Sequence, residues 1–339
     1  MAGLPRGAVA SIGETSVTYE DVTLAGMLGT QWDGLVAWCA QGVQRQAADR
    51  ADASAVKREA EAFRRAHHLE AGEDLRAWLS ERDLTVATWE SHLQRRVLLG
   101  GVSWPPRPSS LPTGFEDAIR TDSFCTGFWH DGARRLVDWM VAPGLLGHDV
   151  GVKINVRDLA KAALLDEAAG LSDLDAAWCD ERLSTLASWM QAYEQLGTAI
   201  ANDGAVRSLV DRNWAEWTTL EMDLCAFGTP SAANEALLCA TEDGDGPEDV
   251  ARRARAELRR QVVRAGDLES GIASILLSTG VGEVVGPFRI GSEWVVMWLL
   301  DRQAPDPDDP GVRAEAARTL VDAAVEGATR GELHWHGPT

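Results

Sequence analysis

The sequence predicts a mainly α protein that carries one small α/β unit towards its C-terminal end. Three observations lead there. Amphipathic stripes of helical period recur from Tyr19 to about residue 213. The apolar residues then switch to alternation, first over Trp214 to Phe227 and again in a Gly-punctuated stretch from Gly282 to Arg302. A last helical stripe and a short strand-like piece follow.

Size and composition narrow the function. A chain of 339 residues holds one large domain or two to three ordinary ones. With 32 basic and 52 acidic residues the net charge is −20, which argues against nucleic acid and against an anionic membrane surface as partners. Hydrophobic residues make up 45% of the chain, enough to exclude general disorder. The N-terminus shows no apolar run of signal-peptide length, and no later stretch approaches the ~20 apolar residues of a membrane span. The five cysteines, Cys39, Cys125, Cys179, Cys225 and Cys239, are odd in number and form no C-x-x-C pair. They read as reduced thiols of a cytoplasmic protein rather than a disulfide scaffold or zinc ribbon. No G-x-G-x-x-G, P-loop or H-E-x-x-H string is present, so neither cofactor nor metal is expected.

Along the chain, Ala8 to Thr18 alternates around Gly13-Glu14 and reads as a strand, a tight turn and a second strand. Val56, Ala60, Phe63 and His67 share one helical face. Leu75, Trp78 and Leu79 line a short helix after Gly72, with Glu73 and Asp74 in its first turn, where the helix dipole favours acids. Thr85 is placed to cap a third helix with Val86, Trp89, Leu93 and Val97 on its stripe. Residues 101–114 hold four prolines and read as a linker. The region 115–213 is again helical, with Leu183, Leu186, Met190, Tyr193 and Ile200 as its best stripe. A strand is expected from Trp214 to Phe227, and an arginine-rich helix from about Asp249 to Arg264. Gly291-Ser292 between two β-rich runs is a two-residue hairpin signal. The final helix carries Val312, Ala316, Leu320 and Ala323, and the closing strand spans about Glu332 to His336. The domains expected are thus 1–100, a linker at 101–114, a helical region at 115–213, an α/β unit at 214–304 and a C-terminal helix and strand at 305–339.

Several groups could carry chemistry, each beside a plainer reading. Glu221 and Asp223, one residue apart on a strand, point to the same side and could share acid–base work; they would equally suit a solvated strand face. His334 and His336 would share a strand face as a metal pair, but no third ligand stands nearby in sequence. His130-Asp131 and His148-Asp149 could serve Cys125 or Cys179 as nucleophile, although free Cys usually fills a core. Arg252, Arg253, Arg255, Arg259 and Arg260 follow an acidic run, Glu242 to Asp249, with which they could simply pair in water. Trp129, Trp139, Trp178 and Trp189 suggest a docking or homodimer layer in 115–213, or a core.

Two strings carry a family resemblance. FRRAHHLEAGEDLRAWL (Phe63 to Leu79) followed by LTVATWE (Leu84 to Glu90) resembles the helical signature of parvulin-type chaperones of the SurA kind. GEVVGPF (Gly282 to Phe288), with WVVM (Trp294 to Met297) and Asp301-Arg302, resembles the last hairpin of a parvulin domain. The likeness covers roughly residues 20–100 and 214–336. It implies a SurA-like architecture, in which the C-terminal helix and strand return to the N-terminal helical domain, around a parvulin-like domain. It also implies a peptide groove, with Phe227, Phe288, Trp294 and Met297 around it, although a half-buried hairpin alone would alternate in the same way. The two histidines of parvulin isomerases would fall near Asp223 or Leu224 and on Trp294, and neither position holds His. The Gly-rich family turn survives only as Ala265-Gly266-Asp267-Leu268.

The function expected from this is peptide binding: a chaperone-like protein holding an unfolded or precursor peptide, similar to parvulin-related proteins of actinobacterial peptide-maturation systems. The alternative is an enzyme on the same scaffold. It would be either a residual prolyl isomerase or a peptide-modifying enzyme using Glu221, Asp223 or a cysteine.

Overall fold

The computed structural model describes residues 4–100, 107–147 and 156–336. The chain forms two compact units, residues 1–199 with 323–339 and residues 200–322. Of the Pro-rich linker, 101–106 lie outside the described residues, as do His148 and Asp149.

The first unit opens with strands β1 (Ala8–Ile12) and β2 (Thr15–Thr18), joined through Gly13, whose φ of +55° suits glycine in a tight turn. Thr18 then caps α1 (Tyr19–Leu28): its hydroxyl accepts from the Asp21 amide, and the Asp21 carboxylate accepts from the Thr18 amide at 2.8 Å. The helices α2 (Gln31–Ala48), α3 (Ala53–Ala66), α4 (Gly72–Glu81) and α5 (Val86–Leu99) follow. Thr85 caps α5 as its spacing predicts, and Trp89 and Leu93 are buried, while Val86 in the first turn stays exposed. Next come α6 (Phe115–Cys125), α7 (Phe128–Leu146), α8 (Val156–Leu165) and the long α9 (Ala176–Ile200). Their apolar stripes join the same core as α1–α5: Phe115, Trp129, Leu136, Leu183 and Leu186 pack in one cluster with Val22, Trp32 and Leu93. The helical region expected at 115–213 therefore belongs to the N-terminal bundle as far as residue 199. Trp129 and Trp139 are buried core, which corrects their reading as a docking layer.

The second unit begins with α10 (Asp203–Arg212), capped by the Asn202 side chain, and the single turn α11 (Trp214–Trp217). The strand expected from Trp214 thus starts later, as β3 (Thr219–Phe227). Then come α12 (Pro230–Glu242) and α13 (Pro247–Ala254). Arg255, at φ +53°, ends α13, and the chain continues as β4 (Leu258–Arg264) instead of the expected helix. Seven residues of β4 pair antiparallel with Thr219–Cys225, a tertiary pairing that overrides the helix propensity of the arginines. After α14 (Ser270–Ser278), the strands β5 (Val284–Ile290) and β6 (Glu293–Gln303) form the expected hairpin around Gly291-Ser292. The sheet order is β4-β3-β6-β5, all antiparallel. At Gly286, φ is +126° and an added Cβ would sit 2.8 Å from the Val295 carbonyl oxygen, so this bulge position admits only glycine.

The closing helix α15 (Pro310–Thr329) packs Val312, Ala316 and Leu320 with Val206, Leu209 and Val210 of α10. Strand β7 (Leu333–Trp335) then pairs antiparallel with β1, completing the three-stranded sheet β2-β1-β7 of the first unit. The fold is mainly α with a small α/β unit; the closing strand and the end of the last helix, from residue 323, belong to the first unit, whereas the apolar stripe of that helix packs on α10. No helix among the described residues is long and apolar enough to cross a membrane.

Candidate functional site

A cleft of about 990 Å³ opens in the first unit, between the α1–α2 corner and the α6–α7 corner. Its volume is at the upper end of ordinary ligand sites and suits a short peptide better than a single side chain. Two backbone features shape it. Thr30, at φ +64°, turns the chain from α1 into α2, and Gly127, at φ +78°, turns α6 into α7. The helices α1 and α7 also approach very closely. A Cβ at Gly132 would fall 2.4 Å from Cγ1 of the buried Val22, so only glycine fits in this wall.

Apolar surface comes from Leu35, Trp38 and Phe128. Phe128 is held against Trp32 and Trp129, with ring centroids 5.6 and 5.1 Å away. One rim is locked by Arg107, which pairs with Asp33 at 2.6 Å and with Asp166; the Trp32 indole donates to Asp166 at 2.9 Å. On another wall stand Arg96, paired to Glu59 at 2.7 Å, and His67, whose ring packs on Phe63 and Trp78. Burial, and after it the nearby Arg82 and Arg96, hold the His67 pKa below its ordinary value. Arg96 and Trp38 also line an adjoining depression of about 520 Å³ bounded by α3 and α5.

Behind the cleft lies a buried charge cluster. Asp122 accepts from His92 Nδ1 at 2.8 Å and from Arg95 Nε at 3.0 Å, and all three side chains are buried. Burial would raise the Asp122 pKa, but these two partners outweigh it and hold the carboxyl below its ordinary value. The cluster pins α5 to α6, which fixes the wall that carries Arg96.

The residues expected from sequence to form a site lie in the second unit, and the structure separates them. Glu221 and Asp223 do face one guanidinium: Arg260 donates to the two oxygens of Asp223 at 2.9 Å each and lies 3.8 Å from Glu221. The buried Asp223 is thus engaged in a bidentate ion pair that ties β4 to β3, and Glu221 flanks it. The four groove residues fall on opposite faces of the sheet. Phe227 and Trp294 pack with Ala233, Ala236 and Val250 beneath α12 and α13, whereas Phe288 and Met297 pack with Ile272 and Leu276 of α14. They do not surround one groove. Strand alternation sends Trp294, Val296 and Trp298 one way and Val295, Met297 and Leu299 the other, the plain hairpin-core reading.

Among the remaining candidates, Cys125 and Asp131 line the cleft. Burial pushes the Cys39, Cys125 and Cys179 thiols up, and Cys225 up to about 11, the reverse of what a nucleophilic thiolate needs. His336 Nε2 lies 2.7 Å from the Ser11 hydroxyl, and His130 stacks on Trp335 at 6.0 Å. Arg252 and Arg253 pair with Asp249 and Asp245 of the acidic run, and Arg259 with Glu257. Cys239, Asp243 and Asp245 bring a thiol and two carboxylates within 4.8 Å of one another, but the Arg253 guanidinium already supplies the cation there.

Sequence reasoning passed over the cleft because its walls come from helices distant in the chain. Phe128 and Trp38 carry no motif, and His67 showed itself only as a member of a helical stripe.

No family model matches the chain, and no curated protein matches it by sequence. Among solved structures, it is similar to one described with two structurally related SurA-like chaperones of Campylobacter jejuni, at 10% identity and a TM-score of 0.20. That match covers 62% of this chain and 88% of the other. It is also similar to PrsA of Bacillus subtilis, at 13% identity and a TM-score of 0.21, covering 63% and 87%. At these scores the likeness carries no argument about activity.

Proposed function

We propose that the chain is a peptide-binding, chaperone-like protein of the SurA–parvulin type, and that its binding site is the cleft of the first unit. The observation that carries this reading is the cleft itself. It is open, about 990 Å³ in volume, and presents Trp38, Phe128 and Leu35 beside guanidinium groups. Apolar surface interrupted by charged donors suits an extended segment, whose side chains enter the apolar floor while its backbone and polar groups meet the walls. The substrate in this proposal is an unfolded or precursor peptide, handled in a cytoplasmic peptide-maturation pathway. The five cysteines stand as free thiols, which supports a reducing compartment. Self-association belongs to the same proposal, through the surface around the exposed Trp178, and light scattering at high concentration tests it.

The direct test is fluorescence anisotropy of labelled unfolded peptides titrated with the full chain. Trp38→Ala is expected to weaken binding about tenfold or more, as loss of an aromatic anchor does. Trp294→Ala, in the second unit, is expected to leave affinity unchanged once the protein is confirmed folded. The opposite pattern would move the site to the sheet. Exchange NMR on a proline-containing peptide in the same sample reports whether binding is accompanied by isomerisation.

A further inference from the structure

The cleft carries charge in a pattern that the chain as a whole does not. Within a protein of net charge −20, its lining holds Arg96, Arg107 and Arg135 against Asp33 and Asp131. These charges are not equally available. Arg107 and Asp33 are bound to each other at the rim, where Asp166 also meets Arg107. Arg96 reaches Glu59, which lines the adjoining depression. Arg135 makes no ion pair among the described residues, and Asp131, one helical turn before it, is the lining carboxylate that a ligand would compete with.

The charges around His67 point the same way. After burial, the guanidinium groups of Arg82 and Arg96 are the next largest causes that hold its pKa down. That wall therefore disfavours a further cation and favours an anion.

We propose that the cleft selects peptide segments in which an Asp or Glu stands beside a large apolar residue, the carboxylate meeting Arg135 and Arg96 and the apolar side chain meeting Trp38 and Phe128. This rests on the reading of the chain as a peptide binder and names the class of peptide. A guanidinium offers paired donors that match a carboxylate, and such a bond gains strength where the floor around it is apolar. The same wall turns basic segments away, so the site discriminates by repulsion as well as by attraction.

Three labelled peptides of one apolar sequence, carrying Glu, Gln or Lys at a single position, test this with the full chain at low ionic strength. The Glu peptide is expected to bind about tenfold tighter than the Gln peptide, with the Lys peptide weakest. High salt should narrow that spread. In the Arg96→Gln/Arg135→Gln variant the Glu-to-Gln ratio should fall close to one. In the wild-type complex with the Glu peptide, the His67 ring should titrate at a higher pH than in the free protein. Equal affinity for Glu and Gln peptides would overturn the inference while peptide binding stands. A ratio unchanged in the double variant would overturn the assignment of these arginines. Failure of all three peptides to bind would overturn the peptide-binding reading as well.

Discussion

Arg260 meets Asp223 with two parallel hydrogen bonds, from Nε and Nη2, each 2.9 Å long. The carboxylate is buried on β3 and the guanidinium stands on the neighbouring edge strand, so the pair fastens the two strands side by side.

The pair is therefore expected to matter for stability and not for binding. Arg260→Ala should lower the melting temperature by a few degrees, because it leaves the buried Asp223 carboxylate unpaired, and Asp223→Ala by less, because the freed guanidinium is largely exposed. The double variant should be less destabilised than the two single effects added together. Peptide affinity should be unaffected in all three. Additive melting shifts in a double-mutant cycle would show that the two residues act independently.

A larger effect is expected at Asp122. With His92 and Arg95 both buried against it, Asp122→Asn leaves a guanidinium in the core without its counter-charge. The expected cost is about 3–5 kcal/mol in urea unfolding, in line with other broken buried pairs. A loss below about 1 kcal/mol would mean that the cluster relaxes or hydrates freely.

The close approach of α1 and α7 makes a steric prediction. Gly132→Ala puts a methyl group 2.4 Å from Val22 Cγ1, and Val22 is too buried to turn aside. Destabilisation of about 1–3 kcal/mol should result, as in other overpacked cores. Val22→Ala in the same chain makes room for that methyl group, so the combined variant should recover part of the loss. No recovery would place the strain elsewhere.

His67 sets a pH dependence whose sign is fixed by the direction of its shift. Its pKa is depressed in the folded protein by burial and by nearby cations, so the unfolded chain binds the proton more readily. The contribution to stability is fully present above the ordinary value of about 6.5 and is lost as the pH falls below it. Thermal unfolding between pH 7.5 and 5 should show wild type losing more stability than His67→Gln. Parallel curves for the two proteins would remove His67 from this role.

Much of the architecture was legible because local and global signals agree. Thr85 marks a true helix start, Gly13 and Gly291 mark true hairpin turns, and the stripes of α4, α9 and α15 are faces that pack inward, although the α15 stripe meets α10 where the N-terminal domain was expected. The same periodicity misread β4. Its arginines suit a helix, and only the ladder with Thr219–Cys225 makes the segment a strand.

The candidate site divides along a similar line. Alternation along β3 and β6 specified that Glu221 and Asp223 share a side and that Trp294 and Met297 differ by an odd step. By itself this already places the two β6 residues on opposite faces. A groove built from both was inconsistent with the pleat, and the two clusters in the second unit make that plain. What only the tertiary structure decided is which surfaces remain uncovered. Trp38, His67, Arg96, Phe128 and Arg135 come from three helices and one helix end, spread over nearly one hundred residues. No local pattern links them, because a cleft is a property of how helices pack, and single-chain periodicity records only which face each helix buries.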